Sequence, residues 1–577
     1  MRGMWRLFAL AGAAWLLASA PGWAAPTVLS AQDVTRYRQI FALQDKARWR
    51  AADRLIGKLD NRLLLGRVLY QRYMHPTGYR SRYRELANWM KHYADQPDAV
   101  RIYRLALRRR GKGAALPRKP VRIILRRAPA GSSEAVRGKK SPLEKRVARY
   151  LRRGRADRAE KRLWAAQHSG KATGAVITRL LARTARVDYF ATRYDKAEAL
   201  AIAALDLAAE RHLASPPDAM WIAGLSAWRA SDHQTALGFF ARLARDDQAT
   251  GSQRAAGGYW AARAALAARA PERVNDNLRL AAAEPDSFYG QIAAWQLARD
   301  PAFSWDVPAL DPVDAVRLSA RPAIARAIAL SQIGQMTLAD REFRRAIGRA
   351  RPADDTALLA LATALDLPAS QLALSRLVRP PGAARFDAAA YPAPDWQPRG
   401  GFTVDRALLL AIMRQESRFD SRARSASGAR GLMQIMPRTA SYITRDHSLR
   451  YGNRAKLFAP EFNLAVGQRY VDYLRNLKVT GGNLFLIAAA YNGGPGNLAR
   501  WRRTIDSKGD GLLFIESIPA RETRDYVKQV MRNFWIYRAR LGQPAPSLNA
   551  VASGGWPAYT ALDNRIVTTA RLDDKTP

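Results

Sequence analysis

The chain has 577 residues, more than one hydrophobic core organises, and its 48% hydrophobic and 25% charged residues exclude a globally disordered polymer. A formal net charge of +45 favours polyanionic partners, while the absence of cysteine excludes disulfides, thiolate metal sites and a lipid-modified cysteine.

The first residues place Arg2 and Arg6 before the apolar run Leu7 to Leu17, followed by Ala18, Ser19, Ala20, Gly22 and Ala24. Charge, then apolar run, then small residues is the order of a signal peptide, with cleavage expected after Ala24. The run falls short of the roughly 20 residues that span a bilayer, so an exported, periplasmic chain is expected rather than an integral membrane protein. Removal of residues 1–24 takes two positive charges, leaving 45 − 2 = +43.

Residues 25–308 are rich in Ala, Leu and Arg, and apolar positions return every three or four residues. That is the helix period, and it predicts hairpin after helical hairpin stacked into an α-superhelix. One such hairpin runs from Met220, Trp221, Leu225 and Trp228 through a turn at Ala230 to His233 into Phe239, Phe240 and Leu243; the next breaks at Pro271. A basic insertion at about 108–142 interrupts the pattern. Between Arg108 and Arg162 there are 21 Lys and Arg against 4 acids, so 21 − 4 = 17 of the net charges lie in one stretch. Its Gly, Pro and Ser content from Gly111 to Pro142 predicts a mobile loop, most simply a solvated charge run. Residues 309–382 read as a small helical linker domain whose boundaries are marked by Pro308, Pro312, Pro322, Pro352 and Pro368. A turn-rich hinge from Arg379 to Trp396 leads into a last domain over 383–545, and a tail of weak periodicity, 546–577, is expected to be disordered.

The last domain carries the chemistry. Thr403 to Met413 is apolar apart from Asp405 and Arg406, and reads as a buried helix ending at Gln415, Glu416 and Ser417. A carboxylic acid delivered by such a helix is desolvated, which raises its pKa and keeps it in the protonated state a general acid needs. Next come Ser425 and the run GARGLMQIMP (Gly428–Pro437), whose glycines permit close backbone approach and whose proline suits a helix start. A second buried helix, Leu484 to Ala490, ends in Tyr491, Asn492, Gly493 and Gly494. Finally Glu516 and Ser517 precede Glu522 and Tyr526, four apart on one helix face. Leu432, Met433 and Ile435 are expected in the core, Glu516 and Asp420 as surface or capping carboxylates, and Tyr526 fits core and cleft equally well.

In this order, QESRFD, GARGLMQIMP, AYNGGPGN and ESIPARETRDYV resemble the soluble lytic transglycosylases, strongly from Tyr391 to about Arg540 and more weakly upstream, where SFYGQIA at Ser287–Ala293 and the Ala-rich hairpins are similar to that family's superhelix. The resemblance implies an all-α protein: a ring-like N-terminal superhelix, a linker domain and a lysozyme-like catalytic domain. It implies Glu416 as the single catalytic acid and base, with Ser425, Gln434, Met436, Tyr491, Asn492 and Glu522 binding substrate or supporting the acid. The implied reaction cleaves the β-1,4 bond between N-acetylmuramic acid and N-acetylglucosamine and leaves a 1,6-anhydro end. Its partners would be peptidoglycan glycan strands, with other cell-wall enzymes or anionic surfaces as candidates for the basic segment; no nucleic acid partner, cofactor or metal is expected. Two alternatives stay open here: a lysozyme-type hydrolase using Asp420, Asp446 or Glu522 to activate water, and a non-catalytic scaffold that binds the cell wall.

Overall fold

A computed structural model describes residues 26–122, 140–300, 302–379 and 386–563; the expected signal peptide, the middle of the basic insertion and the last fourteen residues, 564–577, lie outside them. The described chain is all-α, and its only extended pairings are three isolated bridges. Among the described residues no helix is long and apolar enough to cross a membrane. The chain divides into two compact units, one of residues 1–125 with 307–374, the other of 126–306 with 375–577.

In the first unit, five helices from Ala31–Asp45 to Ala99–Arg109 join five more between Pro312 and Leu374. Pro312, Pro322, Pro352 and Pro368 each open a helix, because the missing N–H falls where a first turn has no use for one. At the centre lies a buried cluster of charge: Asp98 Oδ2 accepts from Arg67 at 2.7 Å and Asp98 Oδ1 from Arg341 at 3.2 Å. Burial works against the Asp98 carboxylate, but Arg341 and Arg67 overcome it and hold the group down at about 2. The first part of the basic insertion, expected from its composition to be mobile, is instead tied down. The Val121 N–H donates to Ala94 O at 2.9 Å, and Arg345 donates to Val121 O at 3.1 Å, so backbone hydrogen bonds outweigh local glycine and proline content. Both ends of the 108–142 window also prove helical, within Ala99–Arg109 and Pro142–Arg152.

The second unit begins with stacked hairpins: Gly174–Phe190 with Tyr194–Glu210, Pro217–Arg229 with His233–Ala244, and Gly251–Ala267 with Val274–Ala282. Alanine lines most of their interfaces, and Trp221, Trp228, Phe240 and Trp260 fill the remaining space as an aromatic cluster. At Gly257 a Cβ would lie 2.8 Å from Phe240 O, and at Gly258 2.7 Å from Asn277 O, so this pair lets three helices approach at backbone distance. The unit closes with the C-terminal helices. Phe288 stacks on Trp535 of the long helix Arg521–Arg540, with ring centroids 5.2 Å apart.

Two expectations fail here. The hinge is pinned at its end: Tyr391 is fully buried, lies under the Arg414 guanidinium at 4.0 Å and donates to Asp286 Oδ1 at 2.5 Å. The tail is ordered as far as Asp563, with a helix at Pro546–Ala552 followed by residues that pair with the core. Asn483 bridges to Ala558, and the Leu562 N–H donates to Asp405 Oδ2 at 2.7 Å. Weak periodicity misled because these residues satisfy buried partners rather than their own helix.

Asp98→Asn leaves buried Arg67 and half-buried Arg341 without this counter-charge and is expected to cost about 3 kcal/mol, read as a lower urea midpoint of the first unit. Because the folded-state value is depressed, the wild-type contribution is complete above the unfolded value near 3.8 and is lost only as pH falls through about 2.

Candidate active site

The helix Arg406–Glu416 ends on a partly exposed carboxylic acid. Every residue from Ala407 to Met413 is buried, which fixes the helix by packing on all sides. Its start is held electrostatically: Asp405, fully buried, pairs with buried Arg538 at 2.9 Å and also accepts from the Leu562 N–H. Near its end, Arg414 donates to Ala390 O and to Asn533 Oδ1, each at 2.8 Å. Immediately after Glu416, Arg418 and Phe419 both take left-handed backbone conformations, with φ of 52° and 63°. Two successive non-glycine residues there store strain, and buried Phe419 holds the turn in place.

Glu416 keeps limited solvent access as a residue, but protein atoms crowd its carboxyl. Burial is the largest influence and raises the group from 4.5 to about 7; a hydrogen bond from Tyr526 opposes the rise, and the charge of Glu522 adds to it. Tyr526 is buried, and its hydroxyl faces the Glu416 carboxyl in a contact looser than an ordinary hydrogen bond, with no other partner. Tyr491 stacks almost parallel to Tyr526, 6.2 Å between centroids, and donates its own hydroxyl to Met433 O at 2.7 Å. Burial first, and the neighbouring Glu416 charge second, push both phenols well above 10, so both stay protonated.

The GARGLMQIMP segment forms the facing wall. Gly431 sits at φ 77°, where a Cβ would lie 2.1 Å from Leu457 O, so only glycine fits. Asn463, fully buried, ties the segment down: it accepts from the Met433 N–H at 2.8 Å and donates to Arg430 O and Leu457 O. Gln434, at φ 47°, donates from its amide to Gly431 O at 2.8 Å and Ala423 O at 3.2 Å, which commits its Nε2 and not its Oε1 to the backbone. Met436 is 37% exposed, unusual for its type and suited to covering a ligand's apolar face. Ser425 Oγ accepts from the Ala429 N–H at 3.0 Å and keeps its own proton to donate. As expected, Leu432, Met433 and Ile435 are core residues.

Asn492 faces the long helix: its Oδ1 accepts from Thr523 Oγ1 at 2.7 Å, locking the turn after the helix Leu484–Gly493 to the helix that carries Glu522 and Tyr526. Glu522 is exposed in the first turn of that helix. Glu516, expected on the surface or at a cap, is instead 2% exposed and accepts from Tyr289 at 2.7 Å and Lys528 at 2.8 Å. Asp446 caps the turn His447–Arg450 through Ser448 and is held below its usual range by that hydrogen bond. Asp420 accepts from the Arg422 N–H at 3.0 Å. Among the described residues, the carboxylate whose charge bears on Glu416 is therefore Glu522 alone.

Sequence patterns missed Asn463, Tyr470, Asp405 and Arg538, and left Tyr526 undecided. Tyr470 packs against Tyr491 with its ring tilted by 49° and centroids 5.2 Å apart. Asp405 stands out in the sequence only as a polar exception to an apolar run, and local spacing marks none of the other three.

The fold and site define a helical domain built around one carboxylic acid raised to about 7 beside a pair of stacked tyrosines. Residues 397–514 match the family model described as "Transglycosylase SLT domain". The chain is 36% identical over 155 residues to the soluble lytic murein transglycosylase of Escherichia coli K12, covering 27% of this chain and 24% of that protein. It is 38% identical over 144 residues to the protein of that name from Salmonella typhimurium, covering 25% and 22%. The aligned part thus spans about a quarter of these curated relatives. In structure the chain is similar to the 70 kDa soluble lytic transglycosylase from Escherichia coli, with a TM-score of 0.50 and 18% identity over 92% of this chain and 99% of that one, which extends the likeness of fold beyond the matched domain.

Tyr526→Phe removes the donor that favours the Glu416 carboxylate. The fold is expected to persist, the alkaline limb of the activity profile to move above its wild-type position near 7, and turnover to fall on the order of tenfold or more, measured as initial rates across pH 5 to 9.

Proposed function

We propose that this chain is a lytic transglycosylase that cuts peptidoglycan glycan strands outside the cytoplasmic membrane, with Glu416 as acid and then base. The observation that carries this reading is a single carboxyl raised to about 7 by burial, with, among the described residues, no carboxylate bearing on it except exposed Glu522. Hydrolytic glycosidases place two carboxyls about the scissile bond, one as acid and one as nucleophile or water-activating base. A reaction that closes a ring within the substrate needs only one.

Protonated Glu416 donates to the oxygen linking C1 of N-acetylmuramic acid to N-acetylglucosamine, and that C1–O bond breaks. The muramic acetamido oxygen shares the positive charge left on C1. Glu416, now a carboxylate, takes the proton of the C6 hydroxyl as O6 bonds to C1, so a 1,6-anhydro end forms and the acid regains its proton. Proton count balances, and no water is consumed. The Tyr526 hydroxyl donates to the carboxylate between the two steps, which keeps its basicity moderate. Gln434, Met436 and Ser425 line the wall along which the glycan lies, Ser425 donating toward the acetamido group; Asn492 and Tyr491 hold the opposite wall in register. Glu522, at the exposed rim, accepts from sugar hydroxyls.

Glu416→Gln is expected to abolish turnover with an unchanged circular dichroism spectrum. Mass spectrometry of wild-type digests of purified sacculi is expected to give muropeptides lighter by one water than the reducing products of a hydrolase; reducing ends alone would overturn the reading. The acid is also a cost to the fold. Its folded-state value lies above the unfolded one, so stability falls as pH rises from about 4.5 through about 7, and Glu416→Gln is expected to stabilise the protein at pH 8, on the order of 2 kcal/mol, but not at pH 4.

A further inference from the structure

Two consecutive helices of the second unit, Pro142–Arg152 and Ala156–His168, are sharply two-sided. Val147 and Leu151 of the first and Ala159 and Leu163 of the second are buried. The outer side is cationic. Lys145, Arg146, Arg149, Arg152 and Arg153 fall within about 120° of arc around the first helix, and Arg155, Arg158, Lys161 and Arg162 within a similar arc around the second. All nine are exposed.

The acids of these helices are committed to other partners. Glu144 accepts from the Ser141 N–H at 2.7 Å and pairs with Arg179 at 2.6 Å. Asp157 pairs with Arg193 at 3.2 Å and Lys196 at 2.5 Å, and Glu160 with Lys196 at 2.8 Å. Arg179, Arg193 and Lys196 belong to the hairpin that follows, so the acids neutralise that neighbour and, among the described residues, none of the nine outer cations is ion-paired. The uncompensated charge is felt further in: half-buried Arg183 is held below the usual guanidinium range by burial first, then by the charges of Arg186 and Arg152, with Asp218 opposing them.

A row of cations along one helix suits a single strand. Here the charges cover two adjoining helices, about 10–12 Å along each axis and about 8–10 Å from axis to axis, so a glycan or peptide strand would neutralise one row and leave the other. An array of anions in a plane matches both. Seven of the nine are arginines, whose forked guanidinium groups fit phosphate oxygens two at a time. Among the described residues, no exposed large apolar side chain lies in this segment, so the face has nothing to push among acyl chains and no ring on which to stack a base.

We propose that this face docks on the phosphate plane of an anionic phospholipid bilayer, peripherally and without insertion. Acidic headgroups attract clustered Lys and Arg through a field that fades within a Debye length, so the contact is reversible and weakens with salt. It holds the chain against a membrane without a spanning helix, and it does not rest on the reaction proposed for Glu416.

The test is co-sedimentation of the full chain with vesicles of pure phosphatidylcholine and with vesicles containing about one third phosphatidylglycerol. The wild type is expected to bind the anionic vesicles alone and to be released as sodium chloride rises. A variant carrying Arg146→Gln, Arg149→Gln, Arg158→Gln and Arg162→Gln is expected to bind at least about tenfold more weakly, and the same four positions changed to Lys to stay within about threefold of wild type. A control that removes as much charge from exposed positions of the first unit, Arg54→Gln, Lys58→Gln, Arg84→Gln and Lys91→Gln, is expected to bind as wild type does, all variants keeping wild-type circular dichroism. Equal binding to phosphatidylcholine alone, full binding by the Gln variant of the face, or an equal loss in the control would each overturn the proposal. Tighter binding to double-stranded DNA than to the anionic vesicles at equal phosphate concentration would overturn it too, and would give the face to nucleic acid.

Discussion

The desolvation of one carboxyl organises the C-terminal half of this molecule. A glutamate at the end of an exposed helix would ionise near 4.5 and have no proton to give at neutral pH. To move it to about 7, the protein surrounds it with the rings of Tyr491 and Tyr526 and brings it in on a helix with seven consecutive buried residues. Such a helix has no polar face by which to orient itself, so its ends carry the orientation. Asp405 and Arg538 fix the start as a buried ion pair, and Arg414, bonded to Ala390 O and Asn533 and lying over Tyr391, fixes the end.

This explains why segments remote in sequence are held so firmly. The residues after Pro546 supply the Leu562 N–H to Asp405 and the Tyr559 hydroxyl to the Asp405 N–H. Ser287 to Gln296, in the superhelical segment, meets the same long helix through Phe288 on Trp535 and Tyr289 on Glu516. Removing any one leaves the motif residues unchanged in the chain but loosens the frame that sets their distances to Glu416. A site that works by desolvation depends on that frame more than one that works by metal coordination, because no strong bond restores the geometry.

The polar groups of the cleft divide by the same logic. Gln434, Asn492 and Ser425 each use part of their hydrogen-bonding capacity on backbone or Thr523 and retain part for the outside. Anchored in this way, they lose little freedom when a ligand arrives, which is the physical meaning of a preformed site. Asp446 and Asp420, chemically able to serve a hydrolase, are committed to turns instead.

The sequence by itself determined most of the helical elements and which carboxyl the buried helix Arg406–Glu416 carries at its end. Helix periodicity, prolines at first turns and the four motifs follow from local rules, so the helix ending at Glu416, the hairpin turning at Ala230 to His233 and the buried run Leu432, Met433 and Ile435 were all legible. The tertiary structure alone decided what each polar side chain does. Glu516 became an internal anchor, Tyr526 the donor facing Glu416, and the apparently featureless tail a brace on Asp405, because each role is set by a partner dozens to hundreds of residues away. Burial and charge are properties of three-dimensional neighbourhoods, and spacing along the chain carries them only where the neighbour lies on the same helix.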